Sequence, residues 1–147
     1  MINSKKILGL DLGEKTLGVA ISDSSHLIAR PYELFRFKNH AYEDAIEYIV
    51  ELSKNEDFMT IVVGLPKHMH NEEGEKAKIA RSFAEKLEEK GFKTVLVDER
   101  YSTKIATKSL IEGNFSRKKR KNMVDKMAAQ VILQNYLDKK RKEDLNV

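Results

Sequence analysis

The strongest constraint on the fold is a hairpin-like segment at residues 6 to 22. In its first half, leucines alternate with Ile7, Gly9 and Asp11, which is the period of two that β-strands show. A turn sequence at residues 13 to 15 separates this half from a second strand-like run. The segment is therefore predicted to form a β-hairpin that carries one carboxylate, Asp11, near its closed end.

The remainder of the chain is predicted to alternate strands and helices. A third strand at residues 28 to 37 belongs on an edge of the sheet, because Pro31 lacks a hydrogen-bond donor. In chain order, the elements that follow are a helix at 42 to 52, a strand at 59 to 64, a helix at 74 to 90, a strand at 94 to 97, a helix opened by Ser102 and a helix at 123 to 137. Three meandering strands followed by this alternation indicate an α/β fold, a mixed sheet with helices packed on it.

A second candidate carboxylate, Glu99, follows the predicted strand at residues 94 to 97. It is therefore expected at the carboxyl edge of the sheet, where ligands bind in open α/β folds. Its neighbour Asp98 competes with it for a functional role. Strand alternation points these two side chains to opposite faces of the sheet, so only one of them can share a site with Asp11.

A third carboxylate, Asp125, shares one stripe of the last predicted helix with Ala129, Ile132 and Tyr136. A charge on an apolar stripe has to be paired, bound to a metal ion or placed at the rim of the core, since burial of an unpaired carboxylate is strongly unfavourable. Together with the two acids above, it makes a set of three that a fold could direct to one point. Such a set is typical of a metal-assisted nuclease.

Each of the three acids also has a purely structural interpretation. Asp11 could close the hairpin as a turn residue, and Glu99 could pair with Arg100 or Lys104. Asp125 could interact favourably with the N-terminal dipole of its helix. The coincidence of three such residues favours a shared site over three independent structural roles.

Clustered carboxylates repel one another, and divalent cations relieve this repulsion while leaving coordination positions open for phosphate oxygens and water. The chain has no cysteine, so a metal ion has to be held by oxygen or histidine ligands. We therefore expect Mg²⁺ or Mn²⁺ as the cofactor, in a two-metal arrangement that hydrolyses phosphodiester bonds. Asp11, central in the sheet, is the expected bridging ligand, and Glu99 and Asp125 complete the site.

Positive charge is concentrated in one part of the chain. Residues 1 to 60 carry 7 basic and 10 acidic side chains, whereas residues 100 to 126 carry 9 basic and 2 acidic ones. A polyanion such as RNA or DNA would be drawn to this region through counterion release. The side chains expected to hold a nucleic-acid backbone are those of Lys15, Arg100, Arg117, Lys118, Lys119, Arg120 and Lys121. The run at 117 to 121 is predicted as a loop or first turn before the last helix, and its alternative role is a solvated basic loop.

Length and composition predict a single domain over residues 1 to 147, since 41% hydrophobic residues suffice for one core. Seven Gly and two Pro leave little material for linkers. No segment resembles a signal peptide or approaches the roughly 20 apolar residues of a membrane span. We therefore expect a soluble, cytoplasmic protein with no membrane partner.

Four motif blocks, in series along the chain, resemble the bacterial YqgF family. The blocks are Gly9-Leu10-Asp11-Leu12-Gly13 with Gly18-Val19-Ala20, Val63-Gly64-Leu65-Pro66, Val97-Asp98-Glu99-Arg100-Tyr101-Ser102-Thr103, and Asp125-Lys126-Met127-Ala128-Ala129 with Ile132-Leu133-Gln134. The resemblance implies the ribonuclease H-like fold, a mixed five-stranded sheet with three antiparallel strands and then parallel strands, flanked by helices. It also implies Asp11, Glu99 and Asp125 as the catalytic and metal-binding acids.

Members of this family are described both as Holliday junction resolvases and as nucleases that mature the 5′ end of the small-subunit rRNA precursor. The resemblance thus implies a metal-dependent endonuclease, with processing of pre-16S rRNA in ribosome biogenesis as the first expectation and cleavage of branched DNA as the alternative. A clamp on phosphodiesters is largely blind to this difference. Monomer and homodimer both stay open, because symmetric cutting of a four-way junction needs a dimer and trimming of an RNA end does not.

The chain departs from the family pattern at two places that concern substrate binding. The family usually has a basic residue where Thr16 stands, although the charge of the neighbouring Lys15 could replace it. In the loop after Pro66 the family usually has Asn where this chain has His68, which puts in doubt a substrate contact by an Asn there. His68 and His70 lack a third ligand nearby in sequence, so metal binding by this pair is the less favoured interpretation.

Two further classes of protein stay open. An actin-like or sugar-kinase ATPase also begins with an Asp-x-Gly hairpin that contacts phosphate, but such proteins need two domains of this kind and 147 residues supply one. A non-catalytic RNA-binding factor in ribosome assembly would keep the acids for folding only. ATP-dependent thermal stabilisation would favour the first class, and salt-sensitive RNA binding without metal-dependent cleavage would favour the second.

Overall fold

The structure is a computed structural model that describes residues 5 to 66, 74 to 98 and 117 to 145, with side chains described for 127 to 143 of the last range. This described part contains five strands and three helices. In chain order they are β1 (Lys6–Leu12), β2 (Thr16–Ser22), β3 (Ala29–Arg36), α1 (Tyr42–Leu52), β4 (Phe58–Leu65), α2 (Glu75–Glu89), β5 (Lys93–Asp98) and α3 (Arg117–Leu145). The predicted helix opened by Ser102 lies outside the described residues.

All five strands form one mixed sheet in the order β3-β2-β1-β4-β5. β1 pairs antiparallel with β2 and β2 antiparallel with β3, whereas β4 runs parallel to both β1 and β5. The predicted hairpin and the succession of antiparallel and parallel strands are confirmed. β3 lies on an edge, as Pro31 requires, and its pairing with β2 shifts between Val19 and Ala20, which is the irregularity that a bulge introduces.

The sheet separates two hydrophobic cores, because successive side chains on a strand point to opposite faces. Leu8 and Leu10 are fully buried in the cluster that also contains the buried residues of α1 and α2. Ile7 is buried on the other face, in one cluster with Ala129 and Leu133 of α3. Burial of one such side chain contributes about 1.5–3 kcal/mol, so a one-residue slip of β1, which would exchange its two faces, is strongly disfavoured.

Helix α3 is longer than the predicted range of 123 to 137. It contains the basic run at 117 to 121 in its first turns, so of the two predicted states, a loop or the first turn of the helix, the helical one is confirmed. The prediction followed apolar periodicity, which a polar extension beyond the core does not show, although Lys and Arg are good helix formers. The other predicted elements in the described part end within one residue of their observed bounds. None of the described helices has the length and apolar character needed to cross a membrane.

Candidate active site

Asp11 lies one residue before the end of β1, on the sheet face that packs against α3. Its partner on β2 is Gly18, and the pairing of Leu10 with Val63 makes Gly64 the next residue on β4. Both neighbouring strands therefore lack a side chain beside the carboxylate. Asp11 is itself half-buried, so it is partly shielded from water and still accessible.

The carboxyl ends of β1, β4 and β5 lie at one edge of the sheet, because these three strands are parallel. Asp98 ends β5 at this edge. Val95 and Val97 pack in the cluster on the α3 side, so alternation puts Asp98 on the face opposite to Asp11. The sheet therefore separates these two carboxylates. Glu99 follows directly and lies outside the described residues, so its role stays a prediction.

Helix α3 crosses the sheet on the Asp11 face, and two glutamines define its direction. Gln134 hydrogen-bonds to the carbonyl of Leu27 and the N–H of Ala29, whereas Gln130 hydrogen-bonds to the carbonyl of Ala29. Gln130, the earlier helix residue, thus bonds only to Ala29, whereas the later Gln134 reaches back to Leu27, so α3 runs antiparallel to β3. Because β1 and β3 are both antiparallel to β2, α3 is also antiparallel to β1. The N-terminal half of α3 extends toward the strand end that carries Asp11.

Asp125 belongs to this N-terminal half of α3. The other members of its predicted stripe face the core, since Ala129 and Ile132 are buried and Tyr136 packs against the same cluster. The side chain of Asp125 lies outside the described part, so its role as a ligand stays a prediction. Of the three predicted ligands only Asp11 has a described side chain, and within the described ranges no group of three or more His, Cys, Asp or Glu converges.

Two described cations lie near the Asp11 end of the sheet. Lys15 is exposed in the turn between β1 and β2, and its carbonyl accepts a 2.8 Å hydrogen bond from the N–H of Phe37. Arg36, exposed at the end of β3, is the direct cross-strand partner of Thr16 and belongs to the Asp11 face. Sequence reasoning missed Arg36, because cross-strand partners follow from strand register, which residue types alone do not reveal.

The other predicted nucleic-acid contacts are described less fully. Arg100 lies outside the described residues. The run at 117 to 121 forms the first turns of α3, of which the backbone is described. Because the N-terminal half of α3 extends toward the end of the sheet that carries Asp11, the backbone of this basic run lies toward that end.

Known proteins are similar in sequence to this chain over most of its length. A family model described as "RuvX: Holliday junction resolvase" matches residues 5–139. A protein of Leuconostoc mesenteroides subsp. mesenteroides, provisionally named pre-16S rRNA nuclease, is 44% identical over 139 residues, which cover 93% of this chain and 97% of that protein. A protein of Staphylococcus saprophyticus with the same name is 42% identical over 135 residues, which cover 90% of this chain and 95% of that protein.

Solved structures share the fold at low sequence identity. Thermus thermophilus RuvC in complex with a Holliday junction substrate matches with a TM-score of 0.57 and 14% identity, over 94% of this chain and 96% of that chain. A further Thermus thermophilus RuvC structure matches with a TM-score of 0.53, over 93% of this chain and 96% of that chain. RuvC has the ribonuclease H-like fold, so the predicted fold class is confirmed.

The family match includes all of the motif blocks that the sequence shows, and the relatives at 44% and 42% identity are named as nucleases. The mixed sheet, with Asp11 near its carboxyl edge, agrees with the fold that the motifs imply. The chain therefore belongs to the RuvX family, also named YqgF, which is a family of nucleases.

Proposed function

We propose that this protein is a metal-dependent endonuclease that processes the 5′ end of pre-16S rRNA in ribosome biogenesis. The observation that carries the proposal is the placement of Asp11, half-buried between two glycines near the edge where three parallel strands end. Open α/β sheets bind ligands at this edge. The relatives provisionally named pre-16S rRNA nuclease, which match over nearly their full length, support the choice of substrate.

Asp11, Glu99 and Asp125 are the proposed ligands of Mg²⁺ or Mn²⁺. The donor set fits such an ion, because hard cations prefer carboxylate oxygens, and the glycine partner of Asp11 leaves space beside its carboxylate. A bound ion would supply activation of the attacking water and would stabilise the charge on the leaving oxygen. The half-burial of Asp11 strengthens its attraction for a cation relative to a fully exposed carboxylate.

The phosphate backbone is proposed to bind to the cations at this end of the molecule. Lys15 and Arg36 flank the hairpin end next to Asp11. Arg36 stands opposite Thr16, so its guanidinium can supply the charge that Thr16 lacks, with the two-pronged geometry that suits phosphate. The further proposed contacts are those of Arg100, Arg117, Lys118, Lys119, Arg120 and Lys121.

A second candidate function is the resolution of Holliday junctions, which the description of the matching family favours. Symmetric cutting of a four-way junction needs two active sites related by a two-fold axis, so this function requires a homodimer. Trimming of an RNA end is compatible with a monomer. A non-catalytic RNA-binding role in ribosome assembly is the third candidate.

The proposed setting is the cytoplasm. A chain without cysteine has no thiols or disulfides that depend on the redox state of its compartment, and it therefore suits a reducing one. Residues 1 to 147 are proposed to form a single nuclease domain, and relatives that match over 95–97% of their own length support this.

The test is cleavage of a 5′-extended small-subunit rRNA precursor and of a four-way DNA junction by the purified protein, each in Mn²⁺, Mg²⁺ and EDTA. We expect the divalent ions to support cutting of the RNA extension, and EDTA to abolish it. An RNA that already has the mature 5′ end is the matched control and should stay intact. Cutting of the junction alone would select the resolvase, and binding without cutting in any metal would favour the assembly factor.

A further inference from the structure

Two glutamines of α3, Gln130 and Gln134, form what we call the amide clamp on the start of β3. The side-chain oxygen of Gln134 accepts a 2.8 Å hydrogen bond from the N–H of Ala29, and its amide nitrogen donates to the carbonyl of Leu27 at 2.9 Å. Gln130 donates to the carbonyl of Ala29 at 3.1 Å. One carboxamide thus binds two backbone groups two residues apart, as a neighbouring strand would.

Both sides of the amide clamp are held by further hydrogen bonds. On the helix, Asp138 accepts a 3.0 Å hydrogen bond from the amide of Gln134. On the sheet side, the Asp23 carboxylate accepts hydrogen bonds from the N–H groups of Leu27 and Ile28. The bond from Ile28 is the main cause that lowers the pKa of Asp23 to about 2, so the charged carboxylate that accepts these bonds persists to a lower pH than an ordinary aspartate.

The apolar contacts of α3 act differently from the amide clamp. Ala129, Leu133 and Leu137 are buried against the sheet, and hydrophobic contacts of this kind are non-directional. Gly9 allows the helix to come close, since a Cβ at this position would lie only 2.7 Å from the Cβ of Leu133. Apolar packing therefore holds α3 close to the sheet, whereas the directional hydrogen bonds of the amide clamp restrict its rotation and axial shift.

We propose that Gln134, assisted by Gln130, is a positioning residue for the nuclease reaction. Asp125 precedes Gln134 by nine residues, about 13.5 Å along the helix axis. A rotation or shift of α3 at the amide clamp therefore moves the backbone that carries Asp125. A displacement of about 1 Å at a catalytic group is enough to lower a rate about 10²-fold. This inference rests on the proposed role of Asp125 as a metal ligand.

Gln134→Met tests the inference, because methionine has the length of glutamine and lacks its donor and acceptor. We expect the Mn²⁺ concentration for half-maximal cleavage to rise about tenfold, and the Mn²⁺-induced rise in Tm to shrink. Gln134→Glu keeps an acceptor for the N–H of Ala29 but turns a carboxylate oxygen toward the carbonyl of Leu27 and the carboxylate of Asp138, so it should raise the midpoint at least as far as Gln134→Met. Asn135→Met, at the exposed amide of the next residue, is the matched control and should behave like the wild type.

Urea unfolding of the same variants separates positioning from stability. A loss of cleavage that follows only the unfolded fraction, with an unchanged Mn²⁺ midpoint, would overturn the positioning role. If Gln134→Met does not fold, Gln130→Met removes a single hydrogen bond and should raise the midpoint to a smaller extent; an unchanged midpoint would again overturn the inference. Absence of Mn²⁺-dependent cleavage by the wild type would overturn the proposed function itself, and this result does not depend on the amide clamp.

Discussion

At the scale of single residues, Gly9 determines how closely α3 approaches the strand that carries Asp11. A Cβ at this position would lie 2.7 Å from the Cβ of Leu133 and 3.2 Å from the carbonyl oxygen of Ala129, both residues of α3. Leu133 and Ala129 are fully buried, so neither can move aside without displacing its neighbours. The glycine therefore allows a helix backbone to lie directly on β1, two residues from Asp11.

Gly9→Ala should lower the free energy of unfolding by about 1–3 kcal/mol, the usual range for an added group in a packed core. Urea denaturation measures this change. Gly13→Ala is the matched control, because its Cβ would lie 3.0 Å from the hydroxyl oxygen of Thr16, a side chain that can rotate. We expect its effect to stay below about 1 kcal/mol. Equal stability of Gly9→Ala and the wild type would contradict the close packing of α3 on β1.

The sequence predicts the strand position and the sheet face of Asp11 correctly, because a period of two is a local property of one strand. It does not predict that Gly18 lies beside the carboxylate or that Arg36 lies opposite Thr16. Both facts depend on strand register, which the turns and the packing of the whole sheet determine. The amide clamp is hidden for the same reason, since Gln134 meets a strand more than one hundred residues earlier in the chain.

At the scale of elements, the two halves of α3 differ in what they contact and carry. Its C-terminal half is anchored on the sheet by buried residues such as Ile132 and Leu137. Its N-terminal half carries the basic run at 117 to 121 and Asp125 toward the Asp11 end. Apolar periodicity predicts the anchored half, because burial creates that pattern. The basic extension has no such pattern, so the sequence leaves a loop and a first helical turn as alternatives, and the structure shows the helix.

Neutralisation of the basic run tests its proposed contact with phosphates. The triple variant Lys118→Gln, Lys119→Gln and Lys121→Gln should bind RNA more weakly, with a shallower dependence of log K on log salt concentration. Each lost phosphate contact removes about 0.7 from the slope for single strands and about 0.9 for duplexes. Binding titrations at several salt concentrations give this slope.

The charge-matched control lies at the opposite end of the same helix. Lys139→Gln, Lys140→Gln and Lys142→Gln remove equal charge from α3, far from the proposed site. A slope that changes equally in both triple variants would indicate a general effect of net charge, and it would contradict a local phosphate contact at residues 118 to 121.

At the scale of the whole molecule, the fold brings distant parts of the chain to one edge of a sheet. Eighty residues separate β1 from β5 in the chain, and the carboxyl ends of the two strands lie at the same edge because both run parallel to β4. The four motif blocks predict this architecture through family resemblance, and the order of elements predicts a mixed sheet. The direction of α3 and the separation of Asp98 from Asp11 by the sheet follow only from the assembled structure.

Two matched variants test directly whether the Asp11 face of this edge is the catalytic one. Asp11→Asn should lower Mn²⁺-dependent cleavage of the 5′-extended rRNA precursor by about 10³-fold or more, while Tm and RNA binding stay close to those of the wild type. Asp98→Asn removes the same charge at the same edge, on the opposite face, and should retain most of the activity. Unchanged cleavage by Asp11→Asn, or an equal loss in both variants, would show that the Asp11 face is not the catalytic one.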